Sequence, residues 1–351
     1  MSIAELPPKP DVEQRKGISF GFYYPRTVLG NADMALWGVE TAGGHRLTAD
    51  SILQKTGVRQ RFIAGTDETH FFMGGVAALH ALENGNVRKP VDFIFVTTTY
   101  GTGKNLSDEI NTYLHLNAQG LDVYEACTGF AGTLSHIKQN EGQYLGKSIL
   151  IVSVDKHQEH VFDLKNGGAK NDPALSQTIF SDGASAIRFI YGEDLTVLAS
   201  TEVELGLGDS LKLDDQRALR VAPFIAKPAS GIPLSESGKI EQQGKTVYGA
   251  VTRAVPELIA QTVRNAGLEP DNIDLVIPHQ ASIHVLETLQ ARLKDYPDKV
   301  FIDIENGNFS SASIPRAMRE AMRQSMILKG DTAVLAGFGA GLFAAVAVVK
   351  F

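Results

Sequence analysis

The chain has 351 residues, more than one hydrophobic core usually serves, and its 43% apolar and 21% charged residues exclude a disordered protein. A formal charge of -7 argues against nucleic-acid binding, and a single cysteine excludes an internal disulfide and a cysteine-based zinc site. Because that cysteine fits a reducing compartment and the polar start of the sequence lacks the apolar core of a signal peptide, we expect a cytoplasmic protein with two lobes.

Strands and helices alternate along the first half of the chain. The run Val91–Thr99 is almost continuously apolar, which is typical of a strand buried on both faces. The predicted strands are Gly17–Val28, Val91–Thr99, Lys147–Asp155 and Ala184–Tyr191, and the predicted helices are Glu68–Leu82 and Leu106–Leu116, with loop and a short helix over Asp33–Thr56.

The stretch Leu121–Ile137 contains Cys127, the only cysteine. A strand-like run leads into it, and apolar residues at helical spacing follow it, so Cys127 is predicted at a strand-to-helix elbow. Unpaired backbone N–H groups and the positive end of the helix dipole stabilise a thiolate there. The alternative is that a lone cysteine is a small buried apolar residue.

The second half begins with a polar stretch, Glu204–Gly244, which we expect to be a long loop. Pro256 should kink or break the helix that follows. The uncharged run Thr332–Val349 is long enough for a membrane span, but its alternating glycines and β-branched residues favour two buried strands. The other predicted elements are a helix over Val247–Asn265, the strands Ile273–Ile277 and Val300–Ile304, and helices over Ser282–Leu293 and Pro315–Leu328.

The order of elements in the two halves is similar. Each half has a strand, a strand that runs into an elbow, and two further strands, with Cys127 and Asn308 at places we interpret as equivalent. Two such units stacked sheet against sheet would bring their strand ends together at one central site.

Three residues predict nucleophilic catalysis at that site: Cys127, His279 after a predicted strand, and Asn308 at the second elbow. Backbone N–H groups of Cys127 and of the turn around Gly339 and Ala340 could form an oxyanion hole. Each residue also has a plain alternative. His279 could be a core histidine, Asn308 a helix N-cap, and the glycines simple turn residues.

Other polar motifs have weaker functional interpretations. The sequence HQEH at 157–160 has too few ligands for a metal site, so we expect no metal. Asp155 and Asp182 should end strands and fix turns. Arg59 and Arg61 could lie at a tunnel mouth or form a solvated face.

The motifs EACTGF, PHQAS, GN.S.ASIP and GFGAGL resemble the β-ketoacyl-acyl-carrier-protein synthase III family of the thiolase superfamily, as do Lys55–Arg61, Thr97–Thr99 and Ser181–Ala186. The resemblance runs through nearly the whole chain. It implies an α/β fold of the thiolase type, with a duplicated αβαβα architecture of five layers and two pseudo-equivalent halves. The first half, residues 1–195, contains the cysteine. The second half, residues 196–351, contains the histidine and the asparagine. It also implies a homodimer, with no membrane or nucleic-acid partner.

By that resemblance, Cys127 takes an acyl group from a coenzyme A or acyl-carrier-protein thioester, with no cofactor. His279 and Asn308 then stabilise the enolate formed when a malonyl thioester loses carbon dioxide, and the enolate carbon attacks the acyl group. Amides of Cys127 and of the Gly339–Ala340 turn stabilise the oxyanion. Phe338, Arg59 and Thr99 are the expected substrate contacts.

Several positions depart from the family pattern. Ser51 replaces the usual tryptophan that stacks on the coenzyme A adenine, and His284 and Gly249 stand at usually basic carrier-docking positions. We therefore expect a specialised condensing enzyme rather than the fatty-acid initiator. The alternatives are acyl transfer or thioester hydrolysis through the same acyl-Cys127, and a catalytically silent acyl-binding subunit.

Overall fold

Two β-sheets, each covered on both faces, form the frame of the protein. The computed structural model describes residues 17–40, 44–85, 89–99, 102, 104–157, 174–205, 244–339 and 342–351. The predicted loop Glu204–Gly244 therefore lies mostly outside the described residues.

The first sheet and its helices come from the first half of the chain. Its elements are β1 (Ser19–Tyr23), β2 (Thr27–Gly30), α1 (Asn31–Leu36), α2 (Ala49–Thr56), β3 (Gln60–Ile63), α3 (His70–Glu83), β4 (Phe93–Thr97), α4 (Leu106–Tyr113), β5 (Gln119–Val123), α5 (Gly129–Gln139), α6 (Glu141–Tyr144), β6 (Ser148–Asp155), α7 (Ala174–Ile179) and β7 (Gly183–Ile190). The strand order is β1-β7-β6-β4-β5, and β2 pairs with β3 in a small separate sheet.

The second sheet comes from the second half. Its elements are β8 (Thr196–Glu204), α8 (Gly244–Asn265), β9 (Leu275–Pro278), α9 (Ile283–Arg292), α10 (Ser313–Arg323), β10 (Thr332–Gly339) and β11 (Phe343–Lys350), in the strand order β8-β11-β10-β9. Short 3₁₀ turns lie at Ala126–Thr128, Pro270–Asn272 and Ser310–Ala312.

Alternation along the strands divides the core into layers. In β4, Phe93 and Phe95 belong to a central cluster shared with α5 and α10, whereas Ile94 and Val96 pack with α3 and α4. In β10, Leu335 joins the central cluster and Val334 packs with α8 on the other side. Each sheet therefore lies between two layers of helix, which confirms the five-layer αβαβα architecture.

Strand directions repeat between the halves. In the first sheet β4 and β6 are parallel, β7 is antiparallel to β6, and β1 is antiparallel to β7. In the second sheet β9 and β10 are parallel, β11 is antiparallel to β10, and β8 is antiparallel to β11. The order predicted from the sequence is thus present in the fold except for the strand before the second elbow, while the boundary between residues 195 and 196 stays a prediction.

Three predictions about single elements were wrong or incomplete. The helix α8 runs without a break through Pro256. The predicted strand Val300–Ile304 makes only an isolated parallel bridge, from Val300 to Val276. The strand β8 was not predicted, because Thr, Ser and Glu interrupt its apolar residues.

The run Thr332–Val349 forms the antiparallel strands β10 and β11, as its glycines and β-branched residues predicted. Both strands are almost entirely buried in the second sheet. Within the described ranges, none of the helices combines the length and the apolar composition that a bilayer crossing requires.

Candidate active site

Cys127 lies in the turn between β5 and α5, as predicted. We call the 3₁₀ turn Ala126–Thr128 the first elbow; it begins with Ala126 in the left-handed region at φ 47° and leads directly into α5. Two glycines of α5 permit close packing here. A Cβ on Gly129 would lie 3.1 Å from the Cβ of Thr97, and one on Gly132 would lie 2.2 Å from Glu125 Oε2.

The second elbow is the 3₁₀ turn Ser310–Ala312, which leads into α10. It begins with Ser310 at φ 49°, so its backbone repeats that of the first elbow. Counted from these left-handed residues, Cys127 corresponds to Ser311. Asn308 lies three residues earlier, so the expected equivalence of Cys127 and Asn308 was wrong by that offset.

Ser310 joins the two elbows. Its hydroxyl Oγ lies 3.5 Å from Cys127 Sγ and 2.9 Å from Thr99 Oγ1. Its backbone N–H donates to Asn308 Oδ1 at 2.7 Å, and all four residues are buried. Cys127 and Asn308 therefore share one site, linked through a residue that our sequence analysis did not single out, although it lies inside the motif GN.S.ASIP.

Asp155, at the end of β6, anchors this site. Its carboxylate accepts from the Thr99 N–H at 2.6 Å, from the Ser311 N–H at 3.1 Å and from the Ser311 hydroxyl at 2.8 Å. Asp182 similarly accepts from the N–H groups of Ala64 and His157. Asp155 ends β6, as predicted, whereas Asp182 directly precedes β7 and does not end a strand.

Strand β10 passes directly beside Cys127. A Cβ on Gly337 would lie 3.0 Å from the carbonyl oxygen of Cys127, and one on Gly339 would lie 3.2 Å from its sulfur. Gly339 also has φ 152°, which favours glycine. Any larger side chain would therefore displace the thiol. Ala340, the other predicted oxyanion residue, lies outside the described residues.

His279 follows β9 immediately, and its N–H donates to the carbonyl of Ala336 on β10 at 2.7 Å. The side chain is buried, and among the described residues its Nδ1 has no hydrogen-bond partner. Burial, and secondarily the nearby His157, lowers the pKa of His279 to about 3. The imidazole is therefore neutral near pH 7 and carries one N–H donor.

The three predicted substrate contacts lie in different surroundings. Thr99 is buried in the hydrogen-bonded group around Ser310. Phe338 is buried, and its ring meets the His279 ring edge-on with centroids 5.5 Å apart. Arg59 lies on the surface, where its Nε pairs with Glu305 Oε1 at 2.9 Å. Only Thr99 of these three touches the hydroxyl that contacts Cys127.

His157 is a site residue that sequence reasoning considered only as part of a metal motif. It is buried, and its ring lies 4.5 Å from that of Phe180, which forms a parallel bridge with Asn308. It is also close enough to His279 to lower its pKa. Residues 158–160 lie outside the described part, and among the described residues no group of three or more His, Cys, Asp or Glu could hold a metal ion.

A buried carboxylate lies behind the first elbow. Glu202 on β8 has a pKa raised to about 8, first by burial and then by the carboxylate of Glu125. A Cβ on Gly132 would meet the side chains of both glutamates, so the two carboxyl groups lie on the same side of α5. Glu202 of the second sheet therefore lies near the residue two places before Cys127.

Comparison with known proteins finds relatives along nearly the whole chain. The family described as 3-oxoacyl-[acyl-carrier-protein] synthase III C terminal matches residues 263–351. The β-ketoacyl-[acyl-carrier-protein] synthase III of Aquifex aeolicus is 28% identical over 338 residues, covering 93% of this chain and 96% of the relative.

Two solved structures extend the comparison. The 3-oxoacyl-(acyl carrier protein) synthase III of Pseudomonas aeruginosa is 26% identical with a TM-score of 0.75, covering 96% of this chain and 98% of the other. The priming β-ketosynthase of the R1128 polyketide pathway is 26% identical with a TM-score of 0.72, covering 98% and 99%. Over nearly its whole length the chain is therefore β-ketoacyl-acyl-carrier-protein synthase III-like, and like these relatives it is an acyltransferase that forms carbon–carbon bonds.

Proposed function

We propose that the protein joins an acyl group to a malonyl-type thioester by decarboxylative Claisen condensation, with Cys127 as the acylated nucleophile. The observation that carries the proposal is the convergence of Cys127 and the Asn308–Ser310 turn on one buried site. Catalysis through a covalent acyl-cysteine divides the reaction into two half-reactions.

In the first half-reaction, the sulfur of Cys127 attacks the carbonyl carbon of the acyl thioester. A carbon–sulfur bond to Cys127 forms, the bond to the carrier sulfur breaks, and the carrier leaves as a thiol with the proton that Cys127 gave up. Amide N–H groups of Cys127 and of the Gly339–Ala340 turn stabilise the oxyanion. The closeness of Gly339 to the sulfur supports this assignment.

In the second half-reaction, the malonyl thioester loses carbon dioxide and becomes an enolate. The Oδ1 of Asn308 already accepts from Ser310, so its Nδ2 remains the donor for the enolate oxygen, together with the N–H of neutral His279. The enolate carbon attacks the acyl carbonyl, a carbon–carbon bond forms, and the Cys127 thiolate leaves. The product is a β-ketoacyl thioester.

We further propose a specialised role rather than fatty-acid initiation. The hydroxyl of Ser51, at the expected adenine-stacking position, instead caps α2 by accepting from the Thr48 N–H at 2.9 Å. His284 lies exposed beside Glu287, and the space around Gly249 is open. These surroundings differ from a basic carrier-docking face. Efficient turnover of acetyl-coenzyme A with a malonyl-carrier protein would contradict this part of the proposal.

The proposal extends to the oligomeric state and the cellular location of the protein. We propose a homodimer, because β5 ends the first sheet and its residues Gln119 and Gly120 are exposed along that edge. We also propose a cytoplasmic location, because a single nucleophilic cysteine requires a reducing compartment to remain a thiol.

The test separates the half-reactions. The protein is incubated with a panel of acyl thioesters, and intact mass spectrometry is used to find an adduct on Cys127. The acylated protein then receives malonyl thioester with a labelled carboxyl group. Release of labelled carbon dioxide with a β-ketoacyl product supports condensation. An adduct without decarboxylation indicates acyl transfer or hydrolysis, and no adduct with any thioester indicates a silent acyl-binding subunit.

A further inference from the structure

The hydroxyl of Ser310 lies in the middle of a short chain of polar groups. It is 3.5 Å from Cys127 Sγ on one side and 2.9 Å from Thr99 Oγ1 on the other. Sulfur is a large, weak acceptor as a thiol and a stronger one as a thiolate, so the first contact strengthens when Cys127 loses its proton. All three side chains are buried, where water competes little for these contacts.

The backbone fixes this hydroxyl in place. Ser310 is held at φ 49° and donates its N–H to Asn308 Oδ1 at 2.7 Å. The next residue, Ser311, is bound through both its N–H and its hydroxyl to Asp155. Because Asp155 also binds the N–H of Thr99, one carboxylate sets the positions of both ends of the hydroxyl pair.

We propose that Ser310 is a positioning residue for the nucleophile, whose hydroxyl orients the sulfur of Cys127 and donates a hydrogen bond to its thiolate. This rests on the proposed function, in which Cys127 is the acylated group. The Thr99 hydroxyl donates to Ser310 Oγ, and Ser310 donates to the sulfur. Each bond polarises the next, which strengthens the donation to the anion.

The same residue serves the two half-reactions through different atoms. Once Cys127 is acylated its sulfur carries no negative charge, so the hydroxyl of Ser310 loses its strongest partner. The N–H of Ser310 still holds Asn308 Oδ1, and this bond is needed when the enolate forms. Removing the hydroxyl should therefore slow acylation and leave decarboxylation on a pre-acylated protein nearly unchanged.

Several ionisable groups lie on the segments that form the site, including Glu202 behind the first elbow, and all of them are retained in the variant proteins. Asp155 is bonded to Thr99 and Ser311, and Glu125 lies two residues before Cys127. His279 and His157 are close to one another on the side of the site formed by β9 and the end of β6. Substituting Ser310 removes a hydroxyl without changing any of these charges.

The experiment uses iodoacetamide, because the chain has one cysteine and thiol alkylation is therefore limited to Cys127; Cys127→Ala gives the background from other side chains. The rate is followed by intact mass from about pH 6 to about pH 10, where thiolates form. In Ser310→Ala we expect the pH of half-maximal alkylation to rise by about one unit. The alkylation rate should then fall about tenfold at pH 7 and recover at high pH. Thr99→Val should move it in the same direction by less.

The matched control is Ser311→Ala, which loses a hydroxyl that contacts Asp155 and Thr97 and touches neither the sulfur nor Thr99. Its N–H keeps the bond to Asp155 that holds the turn, so this substitution should lower the melting temperature without moving the pH of half-maximal alkylation. Ser310→Gly suits the left-handed backbone and serves as a second variant should Ser310→Ala unfold. The proposal is overturned if the pH of half-maximal alkylation is unchanged in the Ser310 variants that fold. If neither Ser310 variant folds, an unchanged pH of half-maximal alkylation in Thr99→Val overturns it. Acyl adducts of the unsubstituted protein test the proposed function separately.

Discussion

The first elbow, Ala126–Thr128, and the second elbow, Ser310–Ala312, have the same backbone but present different side chains. Each begins with a left-handed residue, forms one 3₁₀ turn and leads into an eleven-residue helix. The first presents a thiol at the second position of its turn. The second has Ser311 there, bound to Asp155, and contributes Asn308 from three residues earlier. One backbone unit thus presents a thiol in one half and a hydrogen-bonded serine in the other.

The largest effect is expected at the first elbow. Cys127→Ala removes the sulfur, so no acyl adduct should form and condensation should fall by about a thousandfold or more. Intact mass after incubation with the preferred acyl thioester measures the adduct. Persistence of an adduct in this variant would contradict the assignment, because the chain has no second cysteine.

The second elbow should act in the other half-reaction. Asn308→Ala removes the Nδ2 donor for the enolate, so decarboxylation should fall about a hundredfold or more while acylation is largely retained. His279→Ala should divide the half-reactions in the same way. Labelled carbon dioxide release from malonyl thioester, measured on pre-acylated protein, separates the two steps. Equal loss in both half-reactions would show that the elbows do not divide the chemistry as proposed.

The connection between the elbows can be weakened at Asp155. Asp155→Asn replaces a carboxylate that accepts from Thr99 and Ser311 by a weaker acceptor, so the free energy of unfolding should fall by about 2–4 kcal/mol. Urea unfolding followed by circular dichroism measures it. Asp331→Asn, which replaces the acceptor of one exposed bond from the Leu328 N–H by a weaker one, is the control and should cost less than about 1 kcal/mol. Similar losses in both variants would exclude Asp155 as the main anchor.

The smallest effect concerns the contact of Glu202 with the first elbow. Its pKa of about 8 lies above that of a glutamate in the unfolded chain, so the folded state binds the extra proton. The contribution of Glu202 to the free energy of unfolding should therefore be fully present below about pH 4 and be lost as the pH rises through about 8. Glu202→Gln should remove most of this decline, on the order of 2 kcal/mol. The test is urea unfolding at several pH values, and parallel curves for the two proteins would contradict it.

Much of the fold could be predicted because long apolar runs mark strands that are buried on both faces. The strands β4, β6, β7, β10 and β11 were found in this way. The strand β8 was missed, because Ser200, Thr201 and Glu202 interrupt its apolar pattern, and its partner lies far along the chain at Ala345–Ala347. Pro256 does not break α8, because burial of the apolar face of this helix outweighs the one backbone hydrogen bond that proline cannot donate.

The candidate site was predicted in outline and not in its connections. Cys127 and Asn308 could be chosen from their residue type and place in the motifs. Ser310 and His157 acquire their roles only through contacts between distant parts of the chain, with Cys127 and Phe180 respectively. Nothing in the local sequence of either residue distinguishes a contact of this kind from an ordinary turn or core position.

The two glycines of β10 beside Cys127 offer a simple criterion for sorting related sequences. A side chain at Gly339 would occupy space within 3.2 Å of the sulfur, and one at Gly337 would meet the backbone of Thr128. A paralogue that has kept its cysteine but carries a bulky residue at either position should have lost acylation. Genome surveys can therefore separate working enzymes from decayed copies by inspecting these two positions, without first measuring any substrate.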